Sequence, residues 1–512
     1  MPPNPADAQP SGSAQPSGIA LLLAGVLFVS GAATASLAGS TRPPSVATPS
    51  AAVSPSASAS RSTVSATGRA GLTQISNAAA GGSESSARAE VVQPLLDVRT
   101  AAVLTGSRSG WLRPLLPSAT VFRAEQATVF DRIRRLPVRG WSYRLIGSTP
   151  LTPARPALGR DAFVVQVVLA YRLPGDTRDV ERRQYLTVAR GSHGWALADD
   201  RDGPTEKALW DLAPLTVGAG GRNLVIGLGQ GPALAARVHR TALEADAAAR
   251  QVDSVWGRAW PRTVVVVIPQ NLQQMSVVLG RTGAGGQTDG QAGGQTGTSG
   301  LDQVAAVTSG ELDRCCEAVG GVADRVVVNP VAFGRLSALG RHVVLTHEFT
   351  HVATRASALV GPPLWVEEGF ANYVGYRGSH LSTDVIASDL IPLVRHGKAE
   401  QQLPSAAAFD PAAGPIAAAY ADSWLAVMLI ARGSPARAVS FYRVAAGLAA
   451  GTRGVDAASR SASGASGASD DPDAVARRDL AAAFSTVLHT DQTTFETNWR
   501  TYRARLLGAA AR

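Results

Sequence analysis

Two histidines stand four residues apart with a glutamate beside the first, in Val344-Leu-Thr-His347-Glu348-Phe-Thr-His351-Val-Ala353. Around them the chain is apolar or neutral, as a buried helix requires. On a helix, residues four apart lie on one face, one turn between them. Both imidazoles therefore aim at one point, and convergent imidazoles make a metal site. Zinc accepts nitrogen ligands at about 2.0–2.1 Å and tolerates a tetrahedral site with one position open. Bound zinc makes a water molecule acidic enough to ionise near neutral pH, and Glu348 is placed to take the proton. With eight histidines in 512 residues, this spacing is a rare coincidence for two unrelated histidines on an ordinary helix. The remaining histidines read differently. His342 is off the metal face, and His193, His239, His380, His396 and His489 lack partners at ligand spacing.

Sixteen residues separate His351 from Glu368, in Leu364-Trp-Val-Glu367-Glu368-Gly-Phe-Ala-Asn372-Tyr-Val374. Apolar residues at helical spacing predict a second helix, and Pro362-Pro363 set its start. A glutamate there supplies a third ligand. These two segments together resemble the gluzincin metallopeptidases, specifically the peptidase MA-like group and more distantly the zinc aminopeptidases. The resemblance spans about 215–450 and is strongest at 341–376. It implies a thermolysin-like mixed α/β catalytic domain with one zinc ion on His347, His351 and Glu368, and Glu348 as general base and then acid. Glu367 is the alternative third ligand. It further implies that Tyr420, at the head of the helix in Ala419-Tyr420-Ala-Asp-Ser423, stabilises an oxyanion; the other reading is a plain helix-start tyrosine. Val326-Val-Val-Asn-Pro330 resembles the edge strand that pairs with substrate, or is an ordinary sheet strand. The Gly-x-Met-Glu-Asn motif of the zinc aminopeptidases is absent, which favours internal cleavage.

The rest of the chain frames this segment. Residues 89–205 read as one unit, with helices over Val91–Thr105 and Phe122–Leu136. Strands follow over Trp141–Ile146, Phe163–Leu173, Arg182–Ala189 and Trp195–Leu197. Helices followed by an antiparallel sheet mean α+β, and the element order resembles the NTF2-like fold. The basic run Arg132, Arg134, Arg135 and Arg139 is expected at a helix carboxyl end. From 210 to 510 the catalytic domain is expected, with strands at Arg222–Gly227, Thr263–Ile268 and Arg325–Val328. Its first long helix is Pro232–Trp256 and its last Asp479–Leu507. Low-complexity insertions fall at 283–300 and 451–473. Gly227-Leu-Gly-Gln-Gly231 reads as a tight strand-to-helix turn, since the full dinucleotide fingerprint is missing.

Residues 1–17 are expected to be disordered, and 40–88, rich in Ser, Ala, Thr and Pro, to be a flexible spacer. Between them, 18–39 is uncharged and long enough to span a bilayer. It reads as a single-pass anchor or a signal peptide, so a membrane-tethered or secreted extracytoplasmic protein is expected. There Cys315 and Cys316, the two cysteines of the chain, either oxidise or stay as small buried residues. The net charge of +9 is almost all arginine, with lysine at Lys207 and Lys398 alone. It is spread out, without interleaved aromatics, which excludes a nucleic-acid partner. The expected function is a zinc-dependent endopeptidase acting on peptide or protein substrates. The alternatives are a non-catalytic envelope binding or assembly protein with a retained zinc site, and a hydrolase of non-peptide amide bonds.

Overall fold

The structure is a computed structural model that describes residues 70–280, 301–309, 323–357, 361–410, 415–448 and 472–508. Three helices come first: α1 (Ala70–Thr105), α2 (Arg108–Leu112) and α3 (Thr120–Ile133). An antiparallel meander follows: β1 (Gly140–Pro150), β2 (Phe163–Arg172), β3 (Val180–Gly191) and β4 (Gly194–Asp199), in spatial order β1-β2-β3-β4. Strand side chains alternate between faces. Phe163, Val165 and Val167 of β2 therefore share one face with Leu186, Val188 and Leu197, against Val92 and Leu96 of α1 and Phe122 of α3. α1 begins at Ala70, so 70–88, expected as spacer, belongs to a helix. Alanine is the strongest helix former, and in this stretch it outweighs the serine-rich character that suggested a linker.

The second part starts with α4 (Leu209–Leu212), β5 (Leu215–Ala219), β6 (Leu224–Leu228), α5 (Pro232–Trp256), β7 (Val265–Ile268) and α6 (Leu272–Val278). Then come β8 (Ala306–Ser309), β9 (Arg325–Val328), α7 (Ala332–Arg335), α8 (Ala338–Arg355) and α9 (Leu364–Tyr376). It ends with α10 (Thr383–Ile386), α11 (Leu390–Arg395), α12 (Ala417–Ala431), α13 (Pro435–Ala445), α14 (Pro472–Val487) and α15 (Gln492–Gly508). The strands form one sheet in the order β5-β6-β7-β9-β8. β6, β7 and β9 are parallel, and β5 and β8 are antiparallel to their neighbours. Gly229 and Gly231 take φ of 147° and 115° in the turn from β6 into α5, which is the tight turn read from the glycines.

The all-apolar run at 264–268 suits a strand covered on both faces, and β7 is covered on both. Val264, Val266 and Ile268 pack with α5, α8 and α9. Val265 and Val267 pack in a different cluster with Trp210, Trp141 and Tyr171, which belongs largely to the first sheet. The five-stranded sheet is thus a middle layer between the first unit and the carboxyl-terminal helices, and the overall class is mixed α/β. The basic run contributes to this joint. Arg132 donates to the Trp210 carbonyl at 2.9 Å and Arg135 to that of Leu215 at 3.3 Å.

A buried ion pair also crosses it. Arg325 of β9 grips Asp176 in the β2–β3 turn, Nη1 to Oδ1 at 2.6 Å and Nη2 to Oδ2 at 2.8 Å, both side chains at most 2% exposed. Removing one partner strands the other charge out of water, which costs about 3–5 kcal/mol. Arg325→Met is expected to lower the unfolding free energy by that amount in urea titrations. A loss below about 1 kcal/mol, the range of exposed pairs, would show that the pair does not join the layers.

Three expectations are corrected. The final helix is two, α14 and α15, broken where His489 adopts φ of 54°. The edge-strand reading of 326–330 gives way to the other, an ordinary sheet strand: β9 lies between β7 and β8, and β8 takes the edge among the described residues. The expectation of a single-pass membrane protein is also overturned, because no helix of the described residues is long and apolar enough to cross a membrane. The segment 18–39 itself, the insertion at 283–300, most of that at 451–473, and Cys315-Cys316 lie outside the described residues.

Candidate metal centre

α8 is capped by Ser337, whose Oγ accepts from the Gly340 amide at 3.1 Å. Every residue from Val343 to Thr354 is buried, His347, Glu348 and His351 included. Two polar contacts on α5 fix its amino-terminal half. Glu244 holds Arg341, with Oε1 at 2.6 Å from Nη2. Gln251 Oε1 lies 2.7 Å from His342 Nε2, while its amide donates to the Val374 and Arg377 carbonyls that end α9. His342 therefore faces α5, away from the metal face.

α9 starts directly after Pro362-Pro363 and crosses both α8 and α12. Gly369 makes the crossing with α12 close: a Cβ there would stand 2.4 Å from the Ser423 carbonyl oxygen. This places Glu368 opposite the two histidines. His347 Nε2 and His351 Nε2 are 3.0 Å apart, and Glu368 Oε2 is 3.2 Å from the first and 3.7 Å from the second. All three residues are at most 1% exposed. Ligands at about 2.0–2.1 Å from a tetrahedral zinc stand about 3.3 Å from each other, and the three separations straddle that value. Glu368 Oε2 has no hydrogen-bond partner among the described residues. A buried carboxylate oxygen without a donor is costly, and a divalent cation between it and the two nitrogens removes that cost. The group is able to hold a metal ion.

The outer nitrogens are oriented as well. His347 Nδ1 lies 2.9 Å from Asn372 Oδ1, one turn beyond Glu368 on the same face of α9. Asn372 Nδ2 donates to the Tyr420 carbonyl at 3.5 Å, which turns Oδ1 to the ring. Nδ1 of His347 then carries the proton and Nε2 its lone pair, the tautomer a metal ligand needs. Glu367 is on the outer side: its Oε1 is 3.8 Å from His351 Nδ1 and 3.9 Å from Arg355 Nε. It is not at the point where the Nε2 atoms meet, so Glu368 is the convergent carboxylate.

Glu348 is 1% exposed, and Thr308 of β8 donates to its Oε2 at 2.5 Å. Oε1 has no hydrogen-bond partner among the described residues. One oxygen is thus held and the other left available. Tyr420 heads α12, buried against Phe409 at 5.2 Å between ring centroids. Burial, and then the charges of Glu368, Glu348 and Glu367, push its phenol well above its ordinary range, so the hydroxyl remains a donor close to the carboxylates.

The electrostatics favour a cation. Burial holds both imidazoles below their usual range, well below for His351, so they are neutral. Burial also pushes Glu348 and Glu367 up and Glu368 well up; for Glu368 the Glu367 charge adds to the effect. Burial thus opposes the ionised forms of three carboxyl groups that have Arg355 as a cationic neighbour, and a divalent cation among them would favour those forms. Of the residues expected from sequence, His347, His351 and Glu368 come together, with Glu348 beside His347 on α8 and Tyr420 near the head of α12. Asn372 and Thr308 were not expected. Asn372 sits four residues after Glu368, a spacing that would have found it; Thr308 had no local signal. Comparison of the chain with protein-family models, curated proteins and solved structures gives no match.

Proposed function

We propose that the chain is a zinc peptidase of the gluzincin, peptidase MA-like type, with the first unit as an NTF2-like domain. One observation carries this reading: Glu348 stands one residue from a convergent His347–His351–Glu368 set with an unpartnered carboxylate oxygen. A purely structural zinc site is closed and has no use for such a carboxylate. The metal, held by His347, His351 and Glu368, would polarise the peptide carbonyl and acidify water. Glu348 Oε1 accepts the proton of the attacking water and passes it to the leaving amine. Thr308 keeps Oε2 occupied, so one oxygen of the pair does the transfer. Tyr420 donates to the oxygen that gains charge as the carbonyl is attacked. Asn372 fixes the first imidazole.

The test uses the full-length chain, zinc-loaded, against casein and a mixed peptide library. Cleavage is expected, lost after treatment with a zinc chelator and restored by about one equivalent of zinc. Zinc-loaded protein that cleaves neither would overturn the peptidase reading. Cleavage unaffected by the chelator would overturn the role of the metal.

A further inference from the structure

At its far end from Tyr420, α12 opens on a groove of about 490 Å³ bounded also by α13, α15 and the turn between α14 and α15. Among the described residues, three guanidinium groups line it, those of Arg432, Arg437 and Arg505, and no aspartate or glutamate does. Arg432 and Arg505 both lie over the Tyr502 ring, 5.5 and 5.7 Å from its centroid. Two like charges are thus held at one ring, and an anion in the groove would offset their repulsion. The macrodipole accounts for Arg432 and Arg505, which sit at the carboxyl ends of α12 and α15. It does not account for Arg437. That residue is in the first turn of α13, where a cation is disfavoured and no acidic residue compensates. Between the arginines the floor is apolar, with Phe495 and Leu488.

We propose that this groove docks an acidic peptide segment carrying an apolar side chain. The charge calls for carboxylates, which guanidinium forks bind in bidentate fashion. The apolar floor calls for a side chain that a bare inorganic anion lacks. A groove walled by charge of one sign also concentrates such partners around it, to a degree that falls with salt. The site is separate from the metal centre, so it stands or falls independently of the hydrolytic reading.

The test is fluorescence anisotropy with fluorescein-labelled Asp-Glu-Phe-Asp-Glu, on the full-length chain carrying Glu348→Gln so that the probe stays intact. Binding at least tenfold tighter than to Asn-Gln-Phe-Asn-Gln is expected, and at least threefold tighter than to Asp-Glu-Ala-Asp-Glu. The triple variant Arg432→Gln, Arg437→Gln, Arg505→Gln should lose at least tenfold. Arg437→Gln alone, at an exposed position, should lose about threefold and guards against misfolding of the triple variant. A control triple at exposed Arg113, Arg160 and Arg335, also to Gln, should stay within twofold. Equal losses in both triples would reduce the effect to the general charge of the chain and overturn the proposal. Equal binding of the Phe and Ala probes, with full displacement by 10 mM inorganic phosphate, would overturn the peptide assignment.

Discussion

Glu348→Gln is expected to slow peptide hydrolysis by about 100- to 10,000-fold, the range typical of a lost general acid–base group. Glutamine keeps the size of the side chain and an oxygen that can accept from Thr308, as Glu348 Oε2 does at 2.5 Å. It removes the one property the reaction needs, an oxygen basic enough to take a proton. His347, His351 and Glu368 are unchanged, so metal content should remain at about one ion per chain. Folding should not suffer, since the replaced group is a buried carboxyl whose charge burial already opposes. Activity within tenfold of the parent, with metal retained, would mean that another group moves the proton.

Gly369→Ala is expected to damage both stability and the metal centre. The added Cβ would lie 2.4 Å from the Ser423 carbonyl oxygen, 2.8 Å from its carbon and 2.9 Å from Val427 Cγ2. Two of these are backbone atoms of α12, which a rotamer change cannot move, so α9 and α12 must separate. Overpacking of this kind costs about 1–3 kcal/mol. The shift also carries Glu368, the preceding residue, away from the two Nε2 atoms it faces at 3.2 and 3.7 Å. Zinc affinity should fall at least tenfold alongside the loss in urea unfolding. Gly334→Ala is the control, because a Cβ there meets nothing within 4 Å. Equal behaviour of the two variants would show that the helix crossing does not set the glutamate's position.

What the sequence revealed, and what it hid, follows from the range of each interaction. α5 was expected at Pro232–Trp256 and is found there, because a 25-residue amphipathic pattern bounded by Gly and Pro is a local signal. α8 and α9 were legible for the same reason, and the periodicity alone put His347 and His351 on one face. β8 was not legible: four residues directly after a low-complexity stretch carry too little pattern. Thr308 went unseen with it, since its partner Glu348 is 40 residues away in the chain. Whether 326–330 was an edge or an ordinary sheet strand stayed open, because strand order depends on pairing that no single segment records. The middle position of the second sheet was hidden likewise. A run such as that at 264–268 shows burial on both faces but not which parts of the chain cover them.

His347, His351 and Glu368 form a group able to hold a metal ion, proposed here to be zinc. The decisive measurement is the zinc content of the full-length chain, after loading and desalting, for the parent, Glu368→Gln and Glu367→Gln. About one zinc per chain is expected in the parent and in Glu367→Gln, and a loss of most of it in Glu368→Gln. No zinc in the parent, or equal zinc in parent and Glu368→Gln, would contradict it.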